Sequence, residues 1–160
     1  MHVRTWQVAY AHAFPSEQLR DISVEVRAER WQQLLAEQPA SEQTLVAELG
    51  GEIVGFASTG PAREDPDRGE LYAIYVLPDA WGSGTGRALM AGALAHLVES
   101  RFGDALLWVL ADNPRARRFY ERAGWNTDGL TKVETVLGTD VPHVRYVTPL
   151  REVSDPAAAE

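Results

Sequence analysis

Apolar and polar positions alternate most tellingly between Glu70 and Arg101, ELYAIYVLPDAWGSGTGRALMAGALAHLVESR. Residues 71–77 are apolar apart from tyrosine hydroxyls, the pattern of a strand covered on both faces. Pro78 ends it, because proline has no N–H to give a sheet ladder. Leu89, Met90, Ala93, Leu94 and Leu97 then recur at helical spacing and predict one buried helix face. Between strand and helix, Gly82, Gly84 and Gly86 alternate with Ser83 and Thr85, and Arg87 follows.

Upstream, Val3, Trp6, Tyr10 and Ala13 predict a helix over residues 3–13, with a restart at Ser16 after Phe14-Pro15. A second helix is predicted over 24–35 from Ser23, holding Val26, Trp31, Leu34 and Leu35. The aromatics of this pair are read as core. Residues 44–49 and 52–58 are β-branched and apolar runs around Gly50-Gly51, a hairpin signal, since both turn positions can take positive φ. Residues 59–69 read as a charged loop. Downstream, 105–110 is a second apolar strand, and Asn113-Pro114 fits the cap and first position of a helix. Ala116, Phe119, Tyr120 and Ala123 line its inner face, and Gly124 stops it. Residues 131–137 and 141–148 read as two final strands, and 153–160 as a disordered tail after a single domain, 1–152.

Two consecutive strand–helix units imply a locally parallel pair of strands within an α/β (α+β) fold. Glycines between a buried strand and a helix let several N–H groups converge on one anion, aided by the helix dipole. A phosphate cradle is therefore expected, with a simple flexible connector as the alternative. The GxxxxGK[ST] spacing of a P-loop is absent, and the glycines do not fit a dinucleotide GxGxxG.

Composition narrows the choices. The 160 residues suit one domain, and a net charge of −8 argues against a general nucleic-acid or anionic-membrane binder while suiting a cationic amine. Without cysteine there is no disulfide and no thiol nucleophile, and the four histidines show no metal-binding spacing. His96 falls off the apolar stripe and is expected at the solvated surface. No apolar run is long enough to span a bilayer and no signal peptide is evident, so a cytoplasmic location is expected.

The segment Trp81-Gly82-Ser83-Gly84-Thr85-Gly86 after a strand and proline, with Asn113, Phe119-Tyr120 and Gly124-Trp125 beyond the next strand, resembles the GNAT superfamily of N-acetyltransferases. The resemblance covers residues 70–125. It implies an acyl-CoA N-acyltransferase fold: a mostly antiparallel mixed sheet with one splayed parallel pair and flanking helices. It implies acetyl-CoA as cosubstrate, its pyrophosphate on the N–H groups of Gly82, Ser83, Gly84, Thr85, Gly86 and Arg87. The backbone of Ile74, Tyr75 and Val76 would pair with the pantetheine arm, the Val76 N–H polarising the thioester carbonyl. Asn113 would bond the pantetheine and Tyr120 would protonate the leaving thiolate. Two departures stand out: Trp81 replaces a Gln or Arg, and the chain begins almost inside the first helix. The usual first strand is thus expected to be missing, or the start lies upstream, with the hairpin edge exposed.

An alkyl ammonium must lose a proton before attacking a thioester, and Glu70 is the candidate base, acting through water. An exposed strand-end glutamate is the alternative reading. His143, Glu134 and Asp112 are weaker candidates, and Trp108 stands where one branch of the family carries a glutamate. The resemblance implies a small-molecule or peptide amine as acceptor, its site shaped by Trp6, Tyr10, Trp31 and residues 137–143, with a homodimer left open. A non-catalytic acyl-CoA-binding module and a dinucleotide oxidoreductase are the competing classes.

Overall fold

Three helices precede the sheet in a computed structural model that describes residues 1–150; the tail expected at 153–160 lies outside the described residues. Helix α1 (His2–Ala9) ends before Tyr10, so Tyr10 and Ala13 belong to the following turn rather than to the expected helix. The restart at Ser16 forms α2 (Ser16–Arg20). Helix α3 (Val24–Ala36) begins where Ser23 Oγ accepts the Val26 N–H at 3.2 Å. Its apolar residues are not the buried stripe the spacing suggests: Val26, Leu34 and Leu35 are more than half exposed. Only Trp31 turns inward, edge-on to Phe56 with ring centres 4.8 Å apart.

Strands β1 (Gln43–Leu49) and β2 (Glu52–Pro61) form the hairpin, with Gly50 and Gly51 at φ 60° and 84°, a primed turn. β2 runs on through part of the expected loop because Thr59 and Gly60 pair with Leu71 and Glu70 of β3 (Gly69–Val76). Then come α4 (Thr85–Glu99), β4 (Asp104–Leu110), α5 (Pro114–Arg122), β5 (Asn126–Val136) and β6 (Thr139–Pro149). The sheet order is β1-β2-β3-β4-β6-β5, and only the β3–β4 pair is parallel. Among the described residues no strand precedes α1, and β1 forms the edge with Val46 and Leu49 exposed.

On one face α4 packs Leu89, Met90, Ala93 and Leu97 onto Ala57, Leu71, Ala105, Leu107 and Val109, with Tyr120, Trp125 and Tyr146 closing the same core. Each fully buried large side chain there contributes about 1.5–3 kcal/mol. On the other face Phe14 and Leu19, around α2, cover Leu110 and Val141. His96 is not a solvated surface residue. It is half-buried, and its Nδ1 lies 2.8 Å from the hydroxyl of the buried Thr59 on β2. Among the described residues no helix is long and apolar enough to cross a membrane.

Candidate active site

The sheet is split at one place. β3 and β4 are in register only at Gly69–Ala105 and Glu70–Leu106, whereas β4 pairs with β6 along its whole length and β3 with β2. Each strand is thus tied to its outer neighbour, and from Leu71 onward the peptide groups on their facing edges are not paired with one another. The Leu77 N–H donates to the Val54 carbonyl of β2 at 2.8 Å. Peptide groups alternate sides along a strand, so Tyr75 also faces β2, while Ile74 and Val76 turn theirs into the wedge. The pairing edge expected over Ile74, Tyr75 and Val76 therefore comes down to the first and last of these. Tyr75 instead contributes its side chain on the α1 face, its hydroxyl 3.1 Å from that of Tyr10.

The open end of the wedge leads to the glycine loop. After a short 3-10 turn (Pro78–Ala80), Gly82 and Gly84 take φ 80° and 91°, conformations that favour glycine. Gly84 caps α4 with no side chain, and the first intrahelical bond runs from the Ala88 N–H to its carbonyl. Ser83 Oγ accepts the Thr85 N–H at 3.3 Å, which leaves the Gly86 and Arg87 N–H groups without an intrahelical partner. Arg87 is exposed on this first turn, where no acidic residue stands. A cation at a helix N-terminus is disfavoured by about 0.3–1 kcal/mol, so the pattern suits a bound anion.

Trp81, the departure noted in the glycine motif, bridges the wedge mouth. Its Nε1–H donates to the Val76 carbonyl at 2.8 Å, and the Arg115 guanidinium of α5 lies 3.1 Å from the centre of its ring. The loop after β3 is thereby stacked on the helix after β4. No sequence signal joined Trp81 to Arg115.

Asn113 ends β4's connection as the cap of α5, its Oδ1 accepting the Ala116 N–H at 3.0 Å, so its Nδ2–H₂ and one lone pair of Oδ1 are left for a ligand. One turn beyond Ala116 comes Tyr120, buried against Phe119, Trp125 and Tyr146. Among the described residues its hydroxyl makes no hydrogen bond, and burial, with Tyr75 nearby, pushes its pKa up. Tyr10 and Tyr75 are raised mainly by burial as well. All three phenols are therefore neutral donors at physiological pH.

Glu70 is not an exposed strand-end residue: it is 5% exposed, at the closed end of the wedge. Its Oε2 accepts the Arg63 N–H at 3.0 Å, and burial raises its pKa against the opposing pull of Arg63 and Lys132. Beyond it on the same face, Trp108 lies under Lys132, which bonds Glu134 on β5 and Glu64 of the β2–β3 loop. His143 faces Glu134 there, whereas Asp112 lies away at the end of β4, its carbonyl bonded by His12. The Lys132–Glu64 contact joins positions far apart in the sequence and left no local signature.

A sequence model of the acetyltransferase (GNAT) family matches residues 4–125. The chain is 30% identical over 116 residues to an uncharacterized N-acetyltransferase, YuaI, of Bacillus subtilis, covering 71% of this chain and 65% of that protein. It is 45% identical over 82 residues to a mycothiol acetyltransferase of Streptomyces griseus, covering 51% of this chain and 26% of that one. It thus spans less than two thirds of either curated relative. In fold it is similar to YncA, a putative acetyltransferase of Salmonella typhimurium solved with its cofactor acetyl-CoA (TM-score 0.66, 19% identity, 98% of this chain and 91% of that one). With two thirds or more of its length matched, the chain belongs to the acetyltransferase (GNAT) family.

Proposed function

We propose that the protein transfers the acetyl group of acetyl-CoA directly to a primary amine. The observation that carries this reading is the wedge between β3 and β4, with a helix N-terminus at its open end and Glu70 at its closed end. The loop from Gly82 to Arg87 would hold the pyrophosphate on the N–H groups of Gly86 and Arg87 and the Arg87 side chain. The Ile74 and Val76 peptides and Asn113 Nδ2 would grip the pantetheine, and the Val76 N–H would face the thioester oxygen as it becomes an oxyanion.

Glu70 and Val76 lie six residues apart on β3, about 20 Å along the strand, so Glu70 accepts the proton of the acceptor ammonium through a chain of waters along the wedge. The free amine attacks the thioester carbon, and collapse of the tetrahedral intermediate forms the amide and breaks the C–S bond. Tyr120 O–H donates to the departing sulfur. A phenol raised above its usual value of about 10 is a weaker acid than a thiol near 8.5, so Tyr120 stabilises the thiolate chiefly as a hydrogen-bond donor. The proton that completes the thiol comes from the substrate nitrogen by way of solvent.

Thermal unfolding with acetyl-CoA, coenzyme A and NAD in parallel tests the reading. A ligand at about a hundred times its Kd adds roughly 2.7 kcal/mol, or about 5–10 °C for a chain of this size. Stabilisation by both coenzyme A forms and not by NAD is expected; no shift from acetyl-CoA overturns it.

Two further outcomes follow from the site. Trp81→Phe keeps a ring under Arg115 but frees the Val76 carbonyl for the pantetheine. Its Kd for coenzyme A, measured by calorimetry, is expected to fall about two- to tenfold, the worth of one hydrogen bond. For Glu70 the folded pKa lies above the ordinary 4.5, so the folded state holds its proton more tightly than the unfolded chain. Its contribution is thus favourable below the ordinary value and is lost as pH rises through the raised one. Glu70→Gln is expected to unfold at a higher temperature than the parent at neutral pH, with the gap closing in acid. The same variant should lose the acid limb of the kcat/KM profile, whose midpoint in the parent lies above 4.5.

A further inference from the structure

Lys132 reaches from β5 across β6 to the face of β4. Its Nζ stands 4.2 Å from the centre of the Trp108 ring, 3.1 Å from Glu64 and 2.9 Å from Glu134. An aromatic face with two carboxylates is what an alkyl ammonium needs: π-electron density under the cation and acceptors for its N–H groups. The ring belongs to the strand that walls the wedge, two residues past the last β3–β4 register pair and on the face of Glu70. A buried group points into the same place. His143 is 9% exposed, its Nδ1 3.2 Å from the Val141 carbonyl, and its Nε2 opens toward Glu134 at 3.8 Å, beyond hydrogen-bond reach. Arg145, the other cation near the ring at 5.9 Å, is committed to Asp128.

We propose that Lys132 is the acceptor-specificity residue: its ammonium occupies the seat of the acceptor's ammonium, on Trp108 between Glu64 and Glu134. The inference rests on the acetyltransferase reading and names its substrate class, a flexible unbranched alkyl amine of net positive charge. Two features make the stand-in displaceable. The side chains of Lys132, Glu64 and Glu134 are 27%, 54% and 45% exposed, a range in which ion pairs contribute little. The carboxylates of Glu64, Glu70 and Glu134 also outnumber the two cations Lys132 and Arg63 that face them, which leaves a charge for another cation. An incoming ammonium therefore takes the ring while Lys132 swings toward solvent on its four-carbon stem. The seat lies on β4 rather than among the N-terminal aromatics Trp6, Tyr10 and Trp31, which pack against one another, His2, Phe56 and Tyr75.

The test titrates cadaverine, pentylamine and δ-aminovalerate into the coenzyme A-bound full chain, reading thermal unfolding, with thiol release from acetyl-CoA as a second readout. Cadaverine and pentylamine are expected to stabilise at millimolar concentration and δ-aminovalerate, with its carboxylate, to do so least. Lys132→Met should lower the half-saturating concentration of both alkyl amines about three- to fivefold, the competition a half-exposed ion pair can exert. Glu64→Gln with Glu134→Gln, or Trp108→Leu, should raise it by a similar factor. The coenzyme A shift should stay the same in every variant, which also reports that each is folded. No change on Lys132→Met overturns the proposal, as does a preference for δ-aminovalerate that vanishes in that variant, since Lys132 would then be an anchor for anions. If acetyl-CoA fails to stabilise the parent, the acetyltransferase reading falls as well; if only the amines fail, the acceptor assignment alone falls.

Discussion

Tyr120→Phe is expected to lower kcat by about 10²–10³-fold, the range for losing one preorganised hydrogen-bond donor to developing negative charge, while the Kd for acetyl-CoA stays unchanged. The structure makes this substitution unusually clean. The ring is buried against Phe119, Trp125 and Tyr146, and phenylalanine fills the same space. The hydroxyl has no hydrogen-bond partner among the described residues, so its removal strands no other group, and the melting temperature should stay the same or rise. A core aromatic and a hydrogen-bond donor to the thiolate thus give opposite readings in a single variant. Steady-state thiol release beside a thermal scan separates them: unchanged turnover would make Tyr120 a packing residue, and no thiol release from the parent itself would favour a non-catalytic acyl-CoA-binding module.

Trp125→Ala is expected to give the largest loss of stability. Trp125 is 1% exposed, the largest of the fully buried side chains, and follows the turn where Gly124 sits at φ 89°. Truncating a buried tryptophan costs about 3–5 kcal/mol, counting both lost transfer energy and the cavity. One local feature moves the value toward the lower end: the indole Nε1 is buried without a partner among the described residues, and removing an unsatisfied donor returns part of the cost. A fall of roughly 6–20 °C in melting temperature corresponds to this range for a chain of this length. Trp125→Phe, which keeps most of the apolar area and discards the orphaned N–H, should fall by far less. If both variants lose equally, the indole is making an interaction that burial alone does not explain.

The residues whose roles are local were legible before folding. Gly50-Gly51 announced a hairpin because positive φ is a property of the residue itself, and Asn113-Pro114 announced a helix start because cap and first-turn preferences reach over only three positions. The buried runs on either side of the glycine loop revealed a parallel pair in the same way, since both strands must be covered on two faces. Local pattern misled where burial depends on a distant neighbour. The apolar residues of α3 have helical spacing, yet among the described residues no element covers Val26, Leu34 or Leu35, which stay more than half exposed. His96 lies off its helix's stripe, yet β2 brings Thr59 to it.

The sequence by itself determined the order of strands and helices, the glycine-linked helix N-terminus and the placing of Asn113 and Tyr120 on one helix, all consequences of short-range backbone preference and periodicity. Only the tertiary structure decided that Glu70 is buried at the apex of a wedge, that Tyr75 turns its peptide groups away from that wedge, and that Trp81 meets Arg115 across its mouth. It alone placed Lys132 on Trp108 between Glu64 and Glu134. Those arrangements depend on which strands pair, at what register and where pairing stops, and such contacts join residues too far apart in the chain for any local pattern to encode.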